Sequence, residues 1–440
     1  MVGLTYKVNI SGFQFQIQKY VGVYNPATLR GLFVGSKDLV TEINNQLKNK
    51  THISSCDILN KRVEKIMVDY GFISTVGTQV KTSTDIYTWI HVSNECNLRC
   101  TYCYVNKTAT QMSLETYKNI VDSLYSTSLK HESKILKLKY AGGEPLIRFE
   151  NLKKMVEYTQ YKFADSTTKV KYSLITNGTI VTDGIATFLK ENNFTVAISL
   201  DGFKELHDKN RPFINGNGSF ERTFRGVSIL KKHRVPLNLS ITVTRDNAPS
   251  LFKLVKSVMA QDLTFHINFV RETCRTSCGT NLDTDIMVRE LSKIIHYFKK
   301  MSYAKIVIGS MIDIYNYYQP HQAACGAGSN YLVFNTQGNL VPCQMSINSQ
   351  GFGFNKEDLL AFNYSNNPLA KVNDVNLRNV CTGCMWRHIC CGGCPHLAQI
   401  QFGSAAHPTP FCEINKQIIP KLLKLEACRM IEHEVKHSLH

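Results

Sequence analysis

Cys96, Cys100 and Cys103 place three thiols within eight residues, in the run Asn94-Glu95-Cys96-Asn97-Leu98-Arg99-Cys100-Thr101-Tyr102-Cys103-Tyr104. A cubane iron-sulfur cluster normally takes four protein thiolates. A loop that supplies three leaves one iron open to an outside ligand, and an open iron can do chemistry. The competing reading is zinc, because Cys-x2-Cys is a common half-site and four thiolates close a tetrahedral structural centre. This loop has no fourth ligand close by in sequence, and it follows the apolar, strand-like stretch Ile86 to Val92.

Such a loop needs rigid support, and from Ile86 to about Met301 strand and helix patterns alternate. Strands are expected at Ile86 to Val92, Leu136 to Tyr140, Val170 to Ile175, Phe194 to Leu200, Leu237 to Val243 and Thr264 to Phe269. Helical patterns fall between them. Six β-α units in series imply a parallel sheet with helices on its outer face. Chemistry on such sheets sits on the loops at the carboxyl ends of the strands. After the second strand comes Ala141-Gly142-Gly143-Glu144-Pro145, whose glycines allow close backbone approach and whose carboxylate can accept from an ammonium. Thr176-Asn177-Gly178 follows the third strand. Ser199-Leu200-Asp201-Gly202 follows the fourth, then His207, Asp208 and Arg211. Taken singly, each reads as a turn or loop.

Together with the cysteine loop they resemble the radical S-adenosylmethionine (radical SAM) superfamily. That resemblance implies a partial (β/α)6 barrel whose cluster is held by Cys96, Cys100 and Cys103. The methionine moiety of S-adenosyl-L-methionine would chelate the open iron. Tyr102, Gly143, Glu144, Asn177, Ser199 and Arg211 match positions that contact the cofactor. The Arg211 fork suits a carboxylate.

Nine of the fifteen cysteines fall between Cys325 and Cys428. The run Cys325-x12-Gly338-x4-Cys343, then Cys381-x2-Cys384-x5-Cys390-x3-Cys394, then Cys412 matches the seven-cysteine signature of the SPASM domain. By that resemblance Cys381, Cys384, Cys390 and Cys412 close one auxiliary [4Fe-4S] cluster, and Cys325, Cys343 and Cys394 hold a second, nearer the barrel. The second is one ligand short, because Tyr331 stands where sulfatase-maturating relatives have a cysteine. Either Cys391 fills the gap or one iron is open. Cys274 and Cys278 read as an ordinary loop thiol pair after the sixth strand.

The chain can bury a large core at 440 residues and 43% hydrophobic content. Its net charge of +17 favours acidic partners or reflects a solvated surface, since basic stretches such as Lys130 through Lys139 are scattered. Nucleic acid is disfavoured because aromatic and basic residues do not interleave. Neither a secretory segment nor an apolar run near the ~20 residues of a membrane span is present, so a cytoplasmic location is expected.

The expected division is a strand-and-helix unit at 1–84, a barrel at 85–310, the SPASM part at 311–425 and a tail at 426–440. The resemblance implies an enzyme that cleaves S-adenosylmethionine to a 5′-deoxyadenosyl radical and modifies a ribosomally made precursor peptide. A leader sequence on the peptide and a reductant such as flavodoxin or ferredoxin are the expected partners. The alternatives are an anaerobic sulfatase-maturating enzyme and a non-catalytic iron-sulfur or zinc protein. Sulfatase maturases carry an aspartate after the cysteine that matches Cys343, and this chain has Gln344.

Overall fold

The computed structural model describes residues 5–8, 12–25, 31–58, 60–70, 72–75, 84–271, 282–301, 312, 321–353 and 358–437. Cys274, Cys278 and most of the expected linker at 71–85 lie outside them.

Strand β1 (Thr5–Val8) is followed by an antiparallel meander of β2 (Phe13–Ile17), β3 (Tyr20–Tyr24) and β4 (Leu32–Ser36). Helix α1 (Lys37–Leu47), β5 (His52–Ser54), α2 (Lys61–Asp69) and β6 (Ile73–Thr75) come next, with β5 and β6 flanking β1 antiparallel. Ser36 caps α1 by accepting from the Leu39 N–H, and Asn60 caps α2 by accepting from Arg62 and Val63. Strands β3 and β4 carry adjacent buried residues, so their alternation is faint and periodicity alone misses them.

This unit shares the main core, into which Phe15, Tyr24 and Leu32 are packed. Trp386, from the cysteine-rich part, meets Phe13 edge-on at 5.0 Å and stacks on Tyr24 at 6.1 Å. Removing residues 1–84 would uncover that surface. Several large side chains at ~2 kcal/mol each predict a melting temperature lower by roughly 10 °C or more. A truncated chain that melts with the full chain would contradict this packing.

The middle of the chain forms the sheet that carries the site. In order it runs β7 (Ile86–Ser93), α3 (Leu114–Lys130), β8 (Ile135–Gly142), α4 (Phe149–Lys162), β9 (Lys169–Thr176), α5 (Asp183–Glu191), β10 (Thr195–Ser199), α6 (Lys204–Asn210), α7 (Phe220–Lys232), β11 (Leu237–Val243), α8 (Leu251–Ala260), β12 (Thr264–Phe269) and α9 (Thr284–Phe298). The six strands are parallel and neighbour one another in chain order. All their carboxyl ends therefore lie along one rim. Alternation sorts the faces. On β8, Leu136, Leu138 and Tyr140 are fully buried in the core shared with the helices, while Lys137 and Lys139 lie on the opposite face.

The cysteine-rich part extends the same sheet. Strand β13 (Tyr331–Phe334) pairs parallel with β7, and β14 (Leu340–Val341) pairs antiparallel with β13. Short helices follow: α10 (Leu359–Asn366), α11 (Leu369–Val372), α12 (Asn379–Thr382), α13 (Arg387–Cys390) and α14 (Pro395–Phe402). The last helix, α15 (Cys412–His437), packs on α9, β2 and β4 and runs through the point where the expected tail would begin. Among the described residues no helix is long and apolar enough to cross a membrane.

Candidate active site

The cysteine loop leaves β7 and is held from below by β8. The Gly143 N–H donates to the Ser93 carbonyl at 2.7 Å, and the Glu144 N–H donates to the Glu95 carbonyl at 2.8 Å. A Cβ on Gly143 would stand 2.1 Å from the Glu95 oxygen, and one on Gly142, where φ is +155°, 2.4 Å from the Ser93 oxygen. The glycine pair is thus what lets two backbones touch. Gly143→Ala should cost ~3 kcal/mol, as overpacking against rigid backbone does. We expect a lowered melting temperature and loss of iron from this loop, and an alanine variant with wild-type values of both would contradict the contact.

Glu144 is fully buried. Its Oε1 accepts from the Leu146 N–H at 3.1 Å and the Thr176 hydroxyl at 2.7 Å, and its Oε2 from the Asn177 N–H at 2.7 Å. Burial raises its pKa, and those three donors oppose the rise. A carboxylate has about four acceptor sites, so capacity remains for an ammonium. Asn177 braces the loop: its Nδ2 donates to Asn97 Oδ1 at 2.9 Å and lies 4.0 Å from Cys96 Sγ.

Arg211 is the residue whose surroundings differ most from a free-standing loop cation. Its Nε and Nη2 grip Asp201 at 2.8 and 3.3 Å, its Nη1 lies 3.8 Å from Cys100 Sγ, and its guanidinium sits 5.2 Å from the centre of the Tyr102 ring. The Tyr102 hydroxyl donates to Asp201 at 2.5 Å. Asp201 is the partner that sequence reasoning missed; its signal was a carboxylate ten residues before an arginine across one short helix. Ser199 ends β10, and its hydroxyl has no side-chain partner among the described residues. His207, buried against Ser219, is lowered to about 4 by burial and by Arg211, and is a neutral core residue.

The three loop thiols feel one another. Cys100 is pushed up to about 12, by burial first and then by Cys103 and Cys96 against the pull of Arg211. Lys107, also overlooked from sequence, is lowered by burial but raised further by the thiols of Cys103 and Cys96. The cysteine-rich part holds two more thiol groups. Cys343 is raised to about 12 by burial, Cys394 and Cys325. Cys390 is raised to about 12 by burial, with Cys384, Cys381 and Cys412 adding to it against a backbone hydrogen bond. Cys391, in left-handed backbone at φ 47°, donates to the His321 carbonyl at 3.0 Å. His396, which the sequence reading passed over, lines the cavity that Cys325, Cys343 and Cys394 border. Tyr104 joins the regions, since its raised pKa reflects burial and then both Cys103 and Cys343.

Iron-sulfur clusters fit these residues. Among the described residues no three His, Cys, Asp or Glu side chains are arranged to hold a single metal ion. Thiols grouped as at Cys96, Cys100 and Cys103, and at Cys325, Cys343 and Cys394, match a cluster with one thiolate per iron. Arg378 supports this. It is fully buried, donates to the Val372 and Gly393 carbonyls, leaves Nη2 without a partner, and lies in the field of Cys381, Cys394 and Cys325. A buried guanidinium with no carboxylate partner calls for a nearby anion, which thiolate-ligated clusters supply.

Residues 90–250 match the Radical SAM superfamily model, a span that takes in every site residue from Cys96 to Arg211. The chain is 26% identical over 351 residues to the cysteine-type anaerobic sulfatase-maturating enzyme of Clostridium novyi (strain NT), covering 75% of this chain and 92% of the relative. Its fold resembles native anSMEcpe with bound AdoMet and Cp18Cys peptide, with a TM-score of 0.64 and 23% identity, over 78% of this chain and 99% of that one. It also resembles Streptococcus suis SuiB bound to the precursor peptide SuiA, with a TM-score of 0.55 and 13% identity, over 92% and 99% of the two chains. The chain carries a radical SAM domain and is homologous to the anaerobic sulfatase-maturating enzymes.

Proposed function

We propose that the protein modifies a ribosomally made precursor peptide, through a crosslink such as a thioether or carbon-carbon bond, or through epimerisation. It is an enzyme of the radical SAM type that acts on a peptide or protein. When bound, S-adenosylmethionine and a reduced [4Fe-4S] cluster supply the 5′-deoxyadenosyl radical that takes a hydrogen atom from substrate. The chain's own residues do the rest. Cys96, Cys100 and Cys103 hold the cluster, and Gly143 and Glu144 receive the amino group. The Arg211 edge left free by Asp201 receives the carboxylate, and Ser199 adds a hydroxyl. The half-buried rim around Tyr102 and Tyr104 limits the access of water and stray hydrogen donors.

One observation carries the peptide reading over sulfatase maturation. Gln344 lines the cavity beside Cys343, and no Asp or Glu joins it there among the described residues. A maturase's proton acceptor is therefore missing at that position. The +17 charge suits an acidic leader. Sulfatase maturation stays as the second reading on the 26% identity to a sulfatase maturase. Mass spectrometry of a short open reading frame from beside the gene, co-expressed with and without the protein, tests the proposal. A mass change in the peptide that needs Cys100 supports it. An unchanged peptide, with formylglycine formed on a co-expressed sulfatase, overturns it.

A further inference from the structure

A cavity of about 420 Å³ lies between the sheet and the cysteine-rich part, bordered by Cys325, Cys343 and Cys394. Strand β8 contributes Lys137 and Lys139 to it, and Arg271 enters from the end of β12. Neither lysine ammonium has a hydrogen-bond or ion-pair partner among the described residues. Tyr331 lines the cavity and packs in one apolar cluster with Tyr104 and Cys103.

Two half-buried cations without a partner are costly side by side, and chains keep such groups where a ligand neutralises them. Burial, then Lys137, lowers Lys139 to about 8, and burial, then Lys171 on β9, lowers Lys137. The lysines could instead balance the charge of a cluster on the thiols, but other cations already stand there. Arg271 acts on Cys325, and Arg378 lies in the field of Cys394 and Cys325. Both lysines come from the barrel strand, four to six residues before Gly143, at roughly 13 to 20 Å along an extended chain.

We propose that this cavity receives a carboxylate-bearing residue of the peptide, an aspartate or a glutamate, with Lys139 and Lys137 as its counter-ions. The proposal rests on the peptide-modifying reading and names its substrate class. A side-chain carboxylate between two ammonium groups gains charge-assisted hydrogen bonds that its amide analogue cannot match.

The test uses the full-length, cluster-reconstituted protein and two blocked tripeptides, acetyl-Gly-Asp-Gly-amide and acetyl-Gly-Asn-Gly-amide, titrated by calorimetry at pH 7. The aspartyl peptide should bind about ten-fold tighter or better. Lys139→Gln should bring the two affinities within roughly three-fold, and Lys139→Arg, which keeps the charge, should retain the preference. Equal affinities in the wild type, or a preference unmoved in Lys139→Gln, would overturn the proposal and leave the lysines as charge balance for the cluster. Formation of 5′-deoxyadenosine, assayed in the same preparation, reports on the radical reading separately. Its absence with the aspartyl preference intact sinks that reading and keeps the specificity. Its presence with equal affinities sinks the specificity alone.

Discussion

Cys100→Ala is expected to lower 5′-deoxyadenosine formation by on the order of a thousand-fold, equivalent to ~4 kcal/mol, while both auxiliary clusters persist. Cys100 is one of three thiols in a loop with no spare. Its sulfur lies 3.8 Å from the Arg211 guanidinium, a cation that cannot stand in as a ligand. The other two thiol groups sit on separate elements around Cys343 and Cys390 and share no residue with the loop. Iron should fall by about a third, from roughly twelve atoms to eight. Undiminished cleavage, or loss of all iron, would contradict the assignment of these thiols to separate centres.

Arg211→Ala should be nearly as damaging, for a reason that reaches beyond cofactor contact. Asp201 is fully buried and accepts from Arg211, from Tyr102 and from the Thr242 N–H. Removing the guanidinium strands a buried carboxylate, which costs ~3–5 kcal/mol and lowers the melting temperature by roughly 10 °C. Affinity for S-adenosylmethionine should fall roughly a hundred-fold, the scale of a lost charge-assisted contact. Adding Asp201→Asn to Arg211→Ala should restore part of the stability and none of the affinity. An Arg211→Ala protein with unchanged melting temperature and unchanged affinity would show the arginine to be a bystander.

Much of this was legible before any coordinates. The strands read at Leu237 to Val243 and Thr264 to Phe269 coincide with β11 and β12, because a parallel barrel strand is short, apolar and bounded by helices. The rim residues were legible for the same reason, since each follows a strand end. What the sequence hid depends on tertiary placement. Lys137 and Lys139 alternate with Leu136, Leu138 and Tyr140, the pattern of a strand with one wet face. In a barrel that polar face turns to the interior. The run Lys130 through Lys139 left a solvated surface and a binding patch both open, and Lys137 and Lys139 of that run line the cavity.

Strand β13 was unreadable for another reason. Its four residues, Tyr331 to Phe334, become a strand by pairing with β7, some 240 residues earlier, and local propensity holds no trace of such a partner. Asp201 and Arg211 illustrate the limit at the site itself. Both lay in the loop that drew attention, yet their pairing depends on how α6 carries the chain back. The spacing could nominate Arg211 as a carboxylate ligand without showing that a carboxylate of the protein already held two of its nitrogens.

A three-thiolate loop with an open iron makes cleavage of S-adenosylmethionine the defining reaction to look for. Anaerobic reconstitution of the full-length protein, reduction, and addition of S-adenosylmethionine, followed by chromatography, tests it most directly. 5′-Deoxyadenosine and methionine should appear together in equal amounts, and both should vanish in Cys100→Ala. Intact S-adenosylmethionine in a protein carrying its full complement of iron and sulfide would contradict it.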